Sequence, residues 1–325
     1  MPPSNGYVPP WWYRGRHLQT LWGPLLRPIG RPRFRRERVD TPDGDFLDLD
    51  WCEPEAVGAP VVVVLHGLEG SSRSHYVSGL CREAAALGLR AVILNFRSCS
   101  GEPNRTGRLY HSGETSDLDA VLGRLIAREP AVRVGLVGIS LGGNVLLKWL
   151  GERGVGAYAQ VRAGAAISTP FDLAACAAVL DRGLNRALYT ASFLATMKAK
   201  LDKKAELYQD VLNLPAARKA KTFAEYDRLV TAPLGGFASE RDYWARSSSG
   251  PLLPQIRRPT LLINALNDPF MPASALPRAA VAESRWLEAA FVAEGGHAGF
   301  LQGASGARSW AEGRALAFLR RHLLG

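Results

Sequence analysis

The sequence predicts an α/β architecture: a mostly parallel, doubly wound sheet with an antiparallel start and a helical cap inserted after the sixth core strand. Three observations predict it. Short apolar runs alternate with helical repeats as far as residue 167. That alternation stops at Ser168-Thr169-Pro170 and resumes only at Pro259. Within the first half, Gly138-Ile139-Ser140-Leu141-Gly142 sets a serine where an apolar run gives way to a helical one.

Residues 1–34 form an amino-terminal arm in which prolines are interleaved with Trp11, Trp12, His17, Leu18, Leu21, Trp22, Leu25 and Leu26. Positions 18, 21, 22, 25 and 26 share one helical face, and Pro24 would interrupt a long helix. A short helix or extended arm docked on the protein's own core is expected, with contact to a membrane surface as the alternative. Residues 35–52 read as two antiparallel strands joined at Thr41-Pro42-Asp43-Gly44, whose proline and glycine suit a turn. Strands 61–65 and 90–96 enclose a helix over 74–87. The next helix opens with Ser116 and Asp119 spaced as a capping box, and Leu118, Val121, Leu122, Leu125 and Ile126 make its apolar face. Strands 133–139 and 162–167 complete the first part of a core assigned to residues 35–169 and 251–325.

The insertion, 170–250, differs in composition, holding six of the chain's seven lysines. Tyr189, Phe193, Met197 and Leu201 recur there every four residues beside Leu194, an apolar stripe read as lying opposite the lysines. The stripe would pack the cap and supply part of a pocket over Ser140, which makes Tyr189, Phe193 and Met197 candidate substrate contacts. Strands 259–266 and 286–292 follow, then a terminal helix over 307–324 anchored by Trp310, Leu316, Phe318 and Leu319.

A strand that turns sharply into a helix at serine is the nucleophile elbow of the α/β-hydrolase fold, and glycines at 138 and 142 let neighbouring backbones pass closely. Serine is a poor nucleophile at neutral pH. It needs a histidine base and a carboxylate, which this fold supplies in the chain order Ser, Asp/Glu, His. Asp268 stands just past the end of strand 259–266, and His297 sits on the loop Glu294-Gly295-Gly296-His297. Among the six histidines only His322 also follows Asp268, and it lies beside Arg320 and Arg321 in the terminal helix. Ser140, Asp268 and His297 are therefore the candidate catalytic residues. Acyl transfer also needs backbone donors for the oxyanion, each worth about 3 to 4 kcal/mol. The amides of Leu141, after the serine, and Leu68, in the turn His66-Gly67-Leu68-Glu69-Gly70, are the candidates. His66 reads as a brace for that turn.

Hydrophobic residues at 47% and charged residues at 22% over 325 residues describe a globular chain with a proper core. No apolar run approaches the roughly 18 residues of a membrane span. The start MPPSNGYVPPWW is unlike a secretory signal, so a cytoplasmic location is expected. Net charge is +10, and residues 1–40 carry eight arginines against Glu37 and Asp40, a local +6. With no nucleic-acid-binding motif beside it, this charge reads as a solvated arm, and anionic lipid is the partner it would otherwise suit. Cys52, Cys81, Cys99 and Cys176 are spaced 29, 18 and 77 apart, which fits neither a zinc site nor a redox pair; reduced thiols are expected. No metal or cofactor motif occurs, so none is implied.

Several segments together carry a more specific resemblance: His17-Leu18-Gln19-Thr20, HGLEGSS at 66–72, NFRSCSGEPNR at 95–105, YHSGET at 110–115, GISLGGN at 138–144, TAPL at 231–234, INALNDPF at 263–270 and GGHAGF at 295–300. Through them the chain resembles the YheT-like α/β-hydrolases, bacterial relatives of the animal ABHD-type esterases, over nearly its whole length. The resemblance implies a serine esterase that cleaves short- to medium-chain carboxylic esters through an acyl-enzyme, with Ser140, Asp268 and His297 as its triad. Two positions depart from the family pattern: Ser98 replaces a usual glycine, and Gly235 a common histidine. Neither belongs to the triad, and both bear on substrate preference. Thioesterase or amidase chemistry would use the same groups, whereas a dehalogenase or epoxide hydrolase would need a carboxylate at 140. A non-catalytic lipid- or partner-binding protein would have no use for the base and acid.

Overall fold

Val61, Val63 and Leu65 point into one apolar core while Val62 and Val64 point into another, the arrangement required of a strand covered by helices on both faces. That strand, β3 (Val61–Leu65), is one of eight in a single sheet. The others are β1 (Phe34–Asp40), β2 (Phe46–Cys52), β4 (Arg90–Asn95), β5 (Val134–Ile139), β6 (Val161–Ile167), β7 (Thr260–Ala265) and β8 (Leu287–Val292). The computed structural model describes residues 6–52 and 58–325; residues 1–5 of the arm and 53–57 lie outside the described residues. The sheet order is β1-β2-β4-β3-β5-β6-β7-β8, with β1 and β2 antiparallel to their neighbours and all pairs from β4 to β8 parallel. The fold expected from the sequence is the fold observed.

Helices α1 (Arg16–Leu26), α2 (His75–Ala86), α3 (Ser116–Arg128) and α4 (Leu141–Arg153) precede the cap. α3 and α4 cover one face of the sheet through Leu118, Val121, Leu122, Val145, Leu146 and Trp149. α2 and the terminal helix Trp310–Leu324 cover the other through Val77, Leu80, Leu316, Phe318 and Leu319. Strand order reverses between β3 and β5, and Leu65 lies level with Gly138 across that pair. The turn after β3 and the elbow after β5 are thereby set side by side at the carboxyl end of the sheet, where this topology leaves a crevice.

The helical insertion lies between β6 and β7. Its longest helix, Ala191–Lys203, follows a π-helical turn over Arg186–Thr190, and a second π turn occupies Asp227–Thr231. Leu194, Leu201, Tyr208, Tyr226 and Val230 form a core of its own.

Four local expectations are corrected. α3 is capped from outside: Thr115 is its N-cap residue, and Ser116, inside the first turn, bonds Glu114 through both its amide and its hydroxyl, so no Ser116/Asp119 box forms. Cys52 and Cys81 are joined as a disulfide with Cα atoms 6.2 Å apart, while Cys99 and Cys176 are free and buried. Sequence spacing misses the pair because the end of β2 meets α2 only through the sheet order. The arm buries its polar side: Gln19, Thr20 and Gly23 are covered, Arg27 is buried in an ion pair with Glu312, and Leu25 and Leu26 remain 70% and 60% exposed. Finally, Lys200 and Lys204 do not lie opposite the cap stripe. Lys200 is seven residues beyond Phe193 and three beyond Met197, which returns it to their face of the helix.

Candidate active site

Ser140 has φ +54°, a conformation costly for any side chain with a Cβ, and it persists because both neighbours permit it. A Cβ on Gly138 would lie 2.3 Å from the carbonyl oxygen of Gly142, and one on Gly142 would lie 2.3 Å from that of Leu65. The Ser140 amide donates to Ile167 O at 2.8 Å, so β6 fixes the elbow as well. From this position Ser140 Oγ lies 2.9 Å from His297 Nε2. His297 Nδ1 lies 2.9 Å from Asp268 Oδ2 and 3.2 Å from Oδ1. Asp268 is buried, and its Oδ1 also accepts from the Phe270 amide at 2.8 Å, which fixes the carboxylate plane. Phe270 stacks on the imidazole with ring centroids 3.9 Å apart. The structure thus brings together Ser140, Asp268 and His297 from the ends of β5, β7 and β8.

Leu68 and Leu141 both border the cavity that holds Ser140 and His297. Leu141 is the first residue of α4, where a backbone N–H has no acceptor within the helix. Leu68 is held by its neighbours: the Gly67 amide donates to Tyr76 Oη and the Glu69 amide to Tyr110 Oη, each at 2.9 Å. His66, fully buried, braces the same turn. Its Nδ1 donates to Gly67 O at 2.8 Å and its Nε2 accepts from the Phe96 amide at 3.0 Å, which fixes the neutral tautomer; burial pushes its pKa down to about 4.

Above these groups the cap closes a cavity lined by Leu173, Leu180, Phe193, Met197, Phe223 and Trp244. Phe193 and Met197 reach it as expected from the stripe. Tyr189 does not line it. The π turn over Arg186–Thr190 adds a residue to the helical turn, so Tyr189 faces the arm, bonding His17 Nδ1 at 2.9 Å and meeting Phe270 edge-on.

Two polar groups on the cavity wall were missed. Lys200 Nζ bonds Glu69 Oε1 at 2.9 Å, and Tyr110 Oη donates to that same oxygen at 2.8 Å, so the cap is tied to the turn that carries Leu68. The signal for Lys200 was its seven-residue spacing from Phe193. Asp227, in the second π turn, accepts from Thr231 Oγ1 at 2.7 Å and from Trp244 Nε1 at 2.9 Å. Burial outweighs those donors and raises its pKa to about 6. No sequence signal marked it, since its partners depend on the cap's own packing.

Ser98 and Gly235 both border the cavity. Ser98 has φ +61°, a backbone conformation that favours glycine, and its Oγ accepts from the Asn104 amide at 3.1 Å. A Cβ at Gly235 would meet the Phe237 ring at 2.5 Å, so a histidine here would require Phe237 to move.

Residues 60–304 match the family model described as the alpha/beta hydrolase fold. The protein named "Putative esterase YheT" of Escherichia coli (strain K12) is 37% identical over 304 residues, 92% of this chain and 88% of that one. Human phospholipase ABHD3 is 29% identical over 91% of this chain and 74% of its own length. The monoacylglycerol lipase of Saccharomyces cerevisiae is 27% identical over 91% of this chain and 66% of its own. Among solved structures, the Pyrococcus furiosus esterase Pf2001 superposes with a TM-score of 0.57 at 17% identity, over 90% of this chain and 93% of that one, a likeness of fold. An α/β-hydrolase is the class that fold and family model define. Within it, the chain belongs to the YheT-like esterase family.

Proposed function

We propose that this chain is a serine esterase that hydrolyses carboxylic esters of short- to medium-chain acyl groups. The observation that carries the reading is the continuous path from Ser140 Oγ through His297 to Asp268, with 2.9 Å at each step, on the floor of an apolar cavity. His297 takes the Ser140 proton as Oγ attacks the ester carbonyl. Asp268 holds the imidazole tautomer and stabilises the imidazolium. The amides of Leu68 and Leu141 receive the oxyanion, His297 returns the proton to the leaving alcohol, and water then releases the acyl group by the same steps in reverse.

The cap, assigned to residues 170–250, holds the acyl chain against Phe193 and Met197, so the substrate is a small acyl or lipid-like ester. No helix among the described residues is long and apolar enough to cross a membrane. Trp11, Leu25 and Leu26 are exposed on the arm, as are Arg14 and Arg16, and these support peripheral contact of the arm with a lipid surface.

The test is turnover of p-nitrophenyl esters from acetate to palmitate, with fluorophosphonate labelling, for the native protein and Ser140→Ala. Turnover and labelling that both vanish in the variant support the serine mechanism. A native protein that neither labels nor turns over any ester of the series rules it out.

A further inference from the structure

The sequence segment His17-Leu18-Gln19-Thr20 has no part in the chemistry above, yet Gln19 is fully buried. A buried amide side chain has to satisfy one acceptor and two donors, and what Gln19 satisfies is informative. Its Oε1 accepts from Asn267 Nδ2 at 2.8 Å and from the Gly295 amide at 3.0 Å. Asn267 directly precedes the acid, Asp268, and Gly295 lies two residues before the base, His297. One oxygen therefore holds both loops. Asn267 Oδ1 in turn accepts from the Gly296 amide at 3.0 Å, which closes a ring between them. Gln19 Nε2 donates to Tyr13 O at 2.9 Å and to Glu294 Oε2 at 3.2 Å.

Thr20 acts on the base itself. The His297 amide donates to Thr20 Oγ1 at 3.0 Å, and that hydroxyl donates to Arg16 O at 2.7 Å, so it is oriented by the helix that carries it. The approach is close enough to restrict the loop's residues: a Cβ on Gly296 would stand 2.8 Å from Gln19 Cβ, and one on Gly299 would stand 2.1 Å from Gln19 O.

We infer that Gln19 and Thr20 are positioning residues for the reaction, with the amino-terminal arm serving as the clamp that holds the Asp268 and His297 loops in register with Ser140. The inference rests on the serine-esterase reading. It adds that the α/β core alone does not complete the site. The acid and base sit on separate loops after β7 and β8; Asn267 bonds directly across to Gly296, and the one side chain that bonds to both loops, Gln19, comes from outside the sheet. Misplacement of a reacting group by about 1 Å costs about a hundredfold in rate, so loosening this clamp is expected in kcat.

The experiment compares Thr20→Val, which removes only the hydroxyl, with Thr20→Ser, which keeps it, and adds Gln19→Met, which keeps bulk without the amide. With a p-nitrophenyl ester, Thr20→Val and Gln19→Met are expected to lower kcat by about 10- to 100-fold with KM within about twofold, and Thr20→Ser to stay within about threefold of native. Unchanged kcat, a loss confined to KM, or Thr20→Ser no better than Thr20→Val would overturn the inference. Hydrogen–deuterium exchange supplies a readout that needs no turnover. The amides of Gly295 and His297 are expected to exchange at least about tenfold faster in Gln19→Met and Thr20→Val respectively, with β3 and β5 unchanged. Equal exchange in native and variants overturns the clamp. An inactive native protein would instead sink the esterase reading, and the exchange measurement would still decide whether the arm holds the loops.

Discussion

Ser140, Asp268 and His297 hang from the carboxyl ends of β5, β7 and β8, whereas Phe193, Met197, Lys200 and Asp227 reach the same cavity from helices interrupted by π turns. On the core side, backbone sets position: the Ser140 amide is bound to β6, and no Cβ fits at Gly138 or Gly142. On the cap side, position comes from side chains meeting side chains, as Lys200 meets Glu69 and Asp227 meets Trp244. The difference teaches where each kind of change will register. Substitutions below the cavity strike the chemical step, and those above it strike stability, closure and fit.

The hardest test of that division is at the bottom. Ser140→Ala is expected to lose at least about ten-thousandfold in kcat, and Asp268→Asn about a thousand- to ten-thousandfold, with cooperative thermal unfolding retained. A residual rate within about tenfold of native for either would break the comparison at its root.

Asp227 tests the cap through pH. Its pKa is raised by burial to about 6, so folding favours the protonated acid. The stability it contributes is fully present below the ordinary carboxyl range near pH 4 and is lost as pH rises through about 6. The difference between an ordinary carboxyl near 4 and one near 6 corresponds to roughly 3 kcal/mol. Asp227→Asn should therefore gain on the native protein by about that amount between pH 4 and pH 7, on top of any constant offset from the amide. Denaturant melts across this range read the change, and parallel native and variant curves would contradict it.

Lys200 joins the two regions. Lys200→Met leaves the Glu69 carboxylate, largely covered, without its cation and removes the tie between the cap and the turn that bears Leu68; kcat/KM should fall by about tenfold. Removing both partners in Lys200→Met/Glu69→Gln should cost less than Lys200→Met alone, because no unpaired charge is left. A double variant worse than either single one would show that the pair is not a unit. The smallest effect belongs to fit: Met197→Ala is expected to move the preferred acyl chain upward by two or three carbons, each methylene being worth about 0.8 kcal/mol when buried. An unchanged chain-length profile would remove Met197 from the acyl wall.

The core side was also the more legible in sequence. A strained elbow demands glycine at fixed offsets, and strands must end before their loops begin, so Ser140, Asp268 and His297 could each be placed by period and order. Phe193 and Met197 were found from helical spacing, but Tyr189 was misplaced because a π turn breaks the four-residue count without leaving a mark in composition. Lys200 escapes the sequence reading because the stripe is taken to lie opposite the lysines, although its spacing puts it beside Phe193 and Met197. The Cys52–Cys81 bond and the buried side of the arm depend on elements far apart in the chain. In the arm the apolar residues were a false guide, since Gln19 and Thr20 have partners within reach that Leu25 and Leu26 lack.

The bond from Gly295 to Gln19 spans 276 residues, and the one from His297 to Thr20 spans 277. Synthesis therefore makes the clamp long before the base loop. Ser140 is likewise made before Asp268 and His297, so a growing chain holds the serine before it holds the groups that would activate it. The clamp can close only across these long separations, so ordering the acid and the base loops carries the entropy cost of bringing together residues far apart in the chain.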